Sequence, residues 1–591
     1  VPVTLGIGGF LGHDANAALV VDGRIVAAAQ EERYSRRKHD GRFPLAAIQD
    51  CLRLGGLEPK DVDAVVFAEK HLQSRLYDQT GMVSNRLSAQ MGRLFPKRWE
   101  ADYLGPARAL FPKARFSYAW HHVAHAVGAY YTSDCERAAF LCVDGKGEDV
   151  NATIGRITPT EVEWLAELPG ESGLGLFYTL LTYFLGFMSF GSEYKVMGLA
   201  PYGTPEWVEA LTRLYESDER GAFVLRKRLS FRPADLEAGF SWLESELGLK
   251  RRLRHEPLTQ THADLAASLQ VIFEEQLFRQ ARYAREVTGE EVLLLTGGCA
   301  QNVVAAGKLR ESGLFEEVHN SPVAGDMGSG LGAALLEQRC RGVLSGTRVE
   351  DHGFLLGPEP GPIPKVADPW EVKLGDRDLF EVVAERLANG RIVGWCRGRM
   401  ELGARALGAR SIFADARNPT MQSRLNQAIK FREGFRPFAP IILEEFVKDW
   451  FDTDRPIRFM QFVSFLRPER RKPMPEGLVT FVERLQAIRA EIPAVIHLDY
   501  SSRLQTVHPA VHPETYRLLK AFYAQTGCPV LINTSFNVAG QPIVRTSEDA
   551  WECFIHSEID DLVVGDRLFE NPRQLSREEK IKWVQGFTAS S

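Results

Sequence analysis

A chain of 591 residues is too long for one ordinary hydrophobic core and calls for several domain-sized units. Its 45% hydrophobic and 25% charged content is that of a soluble globular protein, and a net charge of -6 with a pI near 6.2 disfavours a polyanionic partner such as tRNA or DNA. Eight scattered cysteines without a Cys-x-x-Cys pair, no 18-residue apolar run and no signal sequence speak against a disulfide framework or a membrane span, so a cytoplasmic location is expected.

The chain opens with a strand and glycine turn over Val3 to Gly9. Ala15 to Val21, the turn Asp22-Gly23, and Arg24 to Gln30 then make a β-meander. The stretch Gly12-His13-Asp14-Ala15-Asn16-Ala17 returns as Gly147-Glu148-Asp149-Val150-Asn151-Ala152, each copy following an apolar strand. A duplicated strand, turn and strand with helices between the copies predicts two similar α/β lobes facing a cleft. Between the copies, Pro44 to Gly55 and Gln73 to Pro96 have helical composition. Arg36-Arg37-Lys38-His39 is a basic run in a loop, either solvated or in contact with a phosphate.

His121 and His125 are four apart, so on a helix both imidazoles leave one face and reach one metal ion. His122 points about 100° away and is not expected to share it. The apolar run Ala138 to Val143 delivers Asp144 to the same place. Nitrogen and oxygen ligands without thiolate suit Fe(II), Mn(II) or catalytic Zn(II). By itself the histidine pair is equally compatible with packed, structural imidazoles.

Phe177 to Phe187 reads as core helix, followed by an irregular turn from Ser189 to Gly203 in which Lys195 is suited to an anionic group or to a surface ion pair. Thr261 to Thr288 is a long amphipathic helix. The strand Val292 to Leu295 then ends in Thr296-Gly297-Gly298-Cys299-Ala300-Gln301-Asn302, where glycines let backbone amides approach a phosphate or ribose. A second glycine-rich junction, Ser321 to Ala334, carries Asp326 as a further ligand candidate. Its Gly328-x-Gly330-x-x-Ala333 pattern lacks the preceding strand and following acid of a dinucleotide site.

Gly357 to Pro364 has the composition of a stiff linker, which divides the chain into residues 1–350, a linker 351–369 and residues 370–591. Beyond it, the strand Ile392 to Cys396 leads to Arg397, Arg399, Arg405 and Arg410. Gly403-x4-Gly408 fails as a P-loop because Ala409-Arg410 stands where Gly-Lys is required. Lys430 to Pro440 adds Lys430, Arg432 and Arg436, and the strand from Pro529 ends at Ser535 and Asn537. Such cations converge on a polyphosphate or pair with the many local acids.

Taken in order, G-H-D-A-N-A, H-H-V-A-H-A, V-D-G-K-G-E, S-E-Y-K-V-M-G-L-A-P-Y-G, G-G-C-A-Q-N, G-A-R-A-L-G-A-R-S, F-R-P-F-A-P and N-T-S-F-N resemble the O-carbamoyltransferases of antibiotic and nodulation-factor biosynthesis, a secondary-metabolism family that includes nebramycin, cephamycin and ansamycin carbamoyltransferases. The resemblance runs from about Leu5 to about Phe569. It implies a duplicated N-terminal domain of the actin-like ATPase type and a C-terminal α/β domain similar to YrdC. It also implies two reactions: carbamoyl-adenylate made from carbamoyl phosphate and ATP in the C-terminal domain, then transfer of the carbamoyl group to a hydroxyl of a small natural-product acceptor beside an iron ion.

Residue by residue, the resemblance implies His121, His125, Asp144 and Asp326 as ligands of Fe(II) or another divalent metal, and His13 as general base, with Glu148 as its counterpart in the repeat. It implies Lys195, Gly297, Gly298 and Asn302 as adenylate contacts. Arg405, Lys430, Arg436, Arg503 and Ser535 would contact carbamoyl phosphate and ATP, with Mg2+ accompanying the triphosphate. The family's Gly-Pro-Arg is Gly403-Ala404-Arg405 here, which keeps the arginine and puts the rigidity of its turn in doubt. The alternative of a threonylcarbamoyl transferase acting on tRNA is disfavoured by the acidic pI. No membrane association is expected, the acceptor hydroxyl is not encoded in any readable motif, and oligomerisation is left open.

Overall fold

The computed structural model describes all residues except 10–12, 69–102, 146–149, 170–172, 228–232, 345–352, 474–476, 478–482, 485–486 and 589–591. The helix expected over Gln73 to Pro96 and the residue Glu148 lie outside the described residues. The chain forms two compact units: Val1–Glu31 with His39–Glu350, and Glu32–Lys38 with Asp351–Ser591. Both are mixed α/β. Among the described residues no helix is long and apolar enough to cross a membrane.

The N-terminal unit holds two five-stranded sheets. In the first, β1 (Val3–Gly8) pairs antiparallel with β2 (Asn16–Val21) and β2 with β3 (Arg24–Gln30), while β4 (Ala64–Phe67) and β5 (Arg115–Tyr118) continue parallel on the other side of β1. Asp22 and Gly23 both have positive φ, as a two-residue hairpin turn matched to strand twist requires. In the second, β6 (Ala138–Val143) pairs antiparallel with β7 (Val150–Ile157) and β7 with β8 (Val162–Pro169). After the small hairpin β9 (Tyr215–Ser217) and β10 (Phe223–Leu225), β11 (Val292–Thr296) and β12 (Glu317–Asn320) add in parallel beside β6. The orders β3-β2-β1-β4-β5 and β8-β7-β6-β11-β12 are the same topology twice. The repeated G-x-D-x-N-A stretch marks the first hairpin of each copy, with Asn16 and Asn151 at equivalent places on β2 and β7.

The helices His121–Tyr131 and Ser329–Cys340 cross where side chains are missing. A Cβ on Gly332 would sit 1.8 Å from the Ala124 carbonyl oxygen, and a Cβ on Gly128 3.4 Å from the Gly332 Cα. This approach brings the turn Asp326–Gly328, which leads into the second helix, against the first turn of the histidine helix.

The C-terminal unit is built on a seven-stranded mixed sheet of order β18-β15-β19-β14-β13-β20-β21. Its strands are β13 (Val393–Cys396), β14 (Arg410–Asp415), β15 (Ala439–Leu443), β18 (Gln505–Val507), β19 (Val530–Ser535), β20 (Asp561–Val564) and β21 (Arg567–Glu570). β16 (Val463–Phe465) and β17 (Ser501–Arg503) form a separate pair. Trp395 of β13 is fully buried, 6.0 Å from the rings of Phe380 and Phe413. The Gly357 to Pro364 stretch is fastened to this unit: Gly357 N–H donates to Met400 O, and Pro360 O accepts from Ser547 N–H. Glu32–Lys38, far away in sequence, belongs to this unit as well.

Candidate active site

The histidine helix is buried on every side, and its two imidazoles meet two carboxylates from other elements. His121 Nε2 lies 3.0 Å from His125 Nε2, 3.1 Å from Asp144 Oδ2 and 3.3 Å from Asp326 Oδ1. His125 Nε2 is 3.5 Å from each of the same two oxygens. Donors about 2.1 Å from one ion are separated by about 3.0–3.4 Å in octahedral or tetrahedral geometry, so the set converges as ligands of a single cation do. The donor chemistry, two imidazoles and two carboxylates, fits Fe(II), Mn(II) or Zn(II).

The electrostatics agree with the geometry. Burial lowers the proton affinity of His121, yet the charges of Asp326 and Asp144 reverse this and hold it well above the ordinary imidazole value. Burial raises the Asp326 carboxyl, but the His121 and His125 partners bring it below the usual carboxylate range. The field at this spot therefore favours positive charge. His122 turns away, its Nδ1 2.7 Å from Thr153 Oγ1, and burial pushes it down to about 3. It is a neutral packing residue.

Local sequence explains how the carboxylates are held. Asp144 caps the end of β6, where Oδ1 accepts from the N–H groups of Gly145 (2.7 Å) and Gly298 (3.2 Å). A Cβ on Gly298 would lie 2.8 Å from that oxygen, and one on Gly297, at φ 87°, would lie 2.3 Å from Val143 O. The Gly-Gly junction after β11 thus packs against Asp144. Asp326 is anchored through its backbone: Asn16 Nδ2 donates to Asp326 O (2.8 Å) and to Asp14 O (2.9 Å), while Asn16 Oδ1 accepts from Gly330 N–H.

His13 stands beside this cluster, a third exposed, with Nδ1 3.0 Å from Asp14 Oδ2 and Nε2 3.6 Å from Asp326 Oδ2. Burial lowers its pKa, but the Asp14 hydrogen bond and the Asp326 charge outweigh this and push it up to about 9. Asp14 also holds His39 Nδ1 at 2.9 Å. The half-exposed ring of Phe190 lies 4.3 Å from the His13 ring and 5.2 Å from His39. Asp14, Asn16 and Phe190 are not singled out by the sequence as site residues, although Asp14 and Asn16 are fixed letters of the repeat, and His39 is offered there only as part of a basic run.

The other predicted contacts of this unit are placed as follows. Asn302 caps the helix Val303–Glu311 through Ala305 N–H, and its Nδ2 donates to Gln270. The Lys195 ammonium sits 5.3 Å above the Phe187 ring.

In the C-terminal unit the predicted cations gather. Lys430 Nζ is buried and donates to Asn537 Oδ1 (2.9 Å), Asn537 O (3.0 Å) and Ser535 O. Burial, then the charge of Arg432, with Arg436 and Lys38 adding to it, drives its pKa well below the usual ammonium value. Arg503 is likewise pushed down by burial and then by Arg405 and Arg436, and its Nε has no hydrogen-bond partner among the described residues. Arg436 Nη1 lies 3.7 Å from Glu433 Oε2. Lys430 thus comes together with Ser535 and Arg436, and Arg436 with Arg405 and Arg503. Lys38 of the early basic run joins them, whereas Arg36 is consumed structurally by the Ile543 and Pro542 carbonyls (2.8 and 3.0 Å) and by Asp549 (3.5 Å).

Comparison with known proteins accords with both units. An uncharacterized protein of Synechocystis sp. is 40% identical, with 99% of each chain covered. The nodulation protein NolNO of Sinorhizobium fredii is 34% identical over 94% of this chain and 79% of its own. The nodulation protein NolO of Bradyrhizobium diazoefficiens is 35% identical over 75% of this chain and 77% of its own. Residues 3–335 match the carbamoyltransferase N-terminus and residues 384–571 the carbamoyltransferase C-terminus, and the chain belongs to the carbamoyltransferase family.

Proposed function

We propose that this carbamoyl-transfer enzyme works in two steps and that its acceptor is a hydroxyl of a small natural product. The observation that carries the first step is the gathering of Lys430, Arg436, Arg405 and Arg503, like charges whose mutual repulsion a polyphosphate would relieve. Water hydrolyses carbamoyl phosphate to carbamate and inorganic phosphate, breaking its phosphate linkage. A carbamate oxygen attacks the α-phosphorus of ATP, and pyrophosphate leaves with Mg2+ as counter-ion. The product, carbamoyl-adenylate, has a leaving group that carbamate lacks. This C-terminal unit is read as YrdC-like and the N-terminal one as actin-like, with Lys195, Gly297, Gly298 and Asn302 on the side proposed to receive the adenylate.

The second step belongs to the His13 site. His121, His125, Asp144 and Asp326 would hold Fe(II) or another dication, which supplies Lewis-acid polarisation of the carbamoyl oxygen or adenylate phosphate when bound. Asp14 orients the His13 ring through Nδ1, leaving Nε2 to take the acceptor's hydroxyl proton. When Asp326 and Asp144 are engaged as ligands, their pull on the His13 proton weakens, and the imidazole returns toward the range in which it accepts one. The hydroxyl oxygen then attacks the carbamoyl carbon and AMP departs. Phe190, over the open side of His13, gives the acceptor an apolar face to lie on.

The test is incubation with carbamoyl phosphate, ATP and Mg2+, following pyrophosphate and radiolabelled carbamoyl-AMP. Both products are expected without any acceptor. An active, folded preparation that releases neither would sink the adenylate route, and turnover that depends on threonine would move the chain to the tRNA-modifying reading.

A further inference from the structure

The turn that bears Arg405 has no proline, and its two glycines make it pliable: Gly403 has φ 111° and Gly408 φ 117°. It is nevertheless pinned at both feet. On the downstream side Glu401, 3% exposed, accepts with a single oxygen from Leu407 N–H (2.8 Å), Ala409 N–H (2.6 Å) and Arg410 N–H (3.0 Å). Asn533 Nδ2 and Gln505 Nε2 hold the carbonyls of Ala406 (3.1 Å) and Leu407 (2.9 Å).

On the upstream side the Gly403 carbonyl accepts from Arg33 Nη2 at 2.8 Å. Arg33 is 1% exposed and arrives on the Glu32–Lys38 segment, 370 residues earlier in sequence. That segment is fixed in turn: Arg36 reaches the Pro542 and Ile543 carbonyls, and the Arg545 guanidinium lies 4.6 Å above the Tyr34 ring. A charge-assisted hydrogen bond from a buried, immobile guanidinium holds a carbonyl more firmly than a neutral donor does. Ala404 and Arg405 lie between the anchored carbonyls of Gly403 and Ala406.

We propose that Arg33 and Glu401 are positioning residues that set the Arg405 turn for phosphate, taking over the restraint that a proline at position 404 would impose. The proposal rests on the reading of Arg405 as a phosphate contact.

The experiment is calorimetric titration of the full chain with Mg-ATP and with inorganic pyrophosphate, beside the thermal midpoint of each variant. R405A weakens binding about tenfold, R33A does nearly as much, and R33A/R405A is no worse than R405A. R33A/A404P recovers affinity to within about threefold of the parent, because the ring restores the restraint that the guanidinium supplied. A simple structural role for Arg33 gives no such rescue. Should R33A not fold, R33K and E401Q carry the test, each weakening ATP binding about threefold and each rescued by A404P. If R405A weakens binding while R33A does not, or A404P fails to rescue it, the positioning role is overturned and the phosphate reading stands. If R405A leaves binding unchanged, the phosphate reading falls and the proposal with it.

Discussion

His13 and Asn16 sit three residues apart and carry different burdens. His13 is a third exposed, faces Asp326 and is oriented by Asp14, so its loss removes the proposed proton acceptor without opening a core. His13→Gln is expected to slow carbamoyl transfer about 10²–10⁴-fold, the usual span for a general base. Acceptor-independent release of pyrophosphate should be unchanged, and a parallel fall in both rates would count against the assignment. Asn16 is 2% exposed and touches no reacting atom; it ties the Asp326 carbonyl to the Asp14 carbonyl and to the Gly330 N–H. Its removal leaves the four ligands in place but frees the backbone of one. Outer supports of this kind change metal affinity about 10–100-fold. Asn16→Ala should therefore weaken Mn(II) binding, measured by anaerobic titration of the stripped protein, by at least about tenfold, whereas a surface substitution at Arg37 should not.

At the scale of elements, β12 makes a separate prediction. Burial pushes His319 down to about 4, with the Asp134 charge opposing only in part, and its Nε2 has no hydrogen-bond partner among the described residues. An unfolded histidine titrates near 6.5. Between those values the unfolded chain binds the extra proton, so this contribution to stability is full above about pH 6.5 and is lost as pH falls toward 4. The urea midpoint should drop over that interval, and His319→Gln should flatten the drop; equal slopes in parent and variant would show that the neutral imidazole is not responsible. β12 also shows what the sequence discloses about elements. The duplicated hairpin, the His-x3-His face and the strand ending at Asp144 are legible because each depends on local periodicity or a short repeat. The convergence of Asp326 was readable only as a candidate. It requires the near-contact of Gly332 with Ala124, a fact about two helices more than 200 residues apart. Phe190 over His13 had no signal, since a half-exposed phenyl in an irregular turn looks the same in sequence whatever it covers.

For the whole molecule, the division of the chain near residue 350 misses that its first unit lends a segment to the second. Glu32–Lys38 packs with Asp351–Ser591, where Arg33, Tyr34 and Arg36 find partners. A basic run in a loop gives no hint of this from composition, because the acceptors are backbone carbonyls at Gly403, Pro542 and Ile543, which have no sequence signature. The consequence is physical. A polypeptide beginning after residue 350 loses the Arg33 guanidinium on Gly403, the Arg36 guanidinium on the 542–543 carbonyls and its ion pair with Asp549, and the Tyr34 ring beneath Arg545. Hydrogen bonds to charged groups contribute about 1.5–3 kcal/mol each, and a buried carbonyl left unpaired costs a comparable amount. The C-terminal unit alone should therefore unfold at a lower temperature and lower urea concentration than the same polypeptide carrying residues 31–39 on a flexible linker. R33A/R36A in the linked form should erase most of the gain. Identical midpoints with and without the segment would mean that these contacts add nothing to the folded unit, whereas a gain that survives the double substitution would assign it to packing of Tyr34 and the backbone.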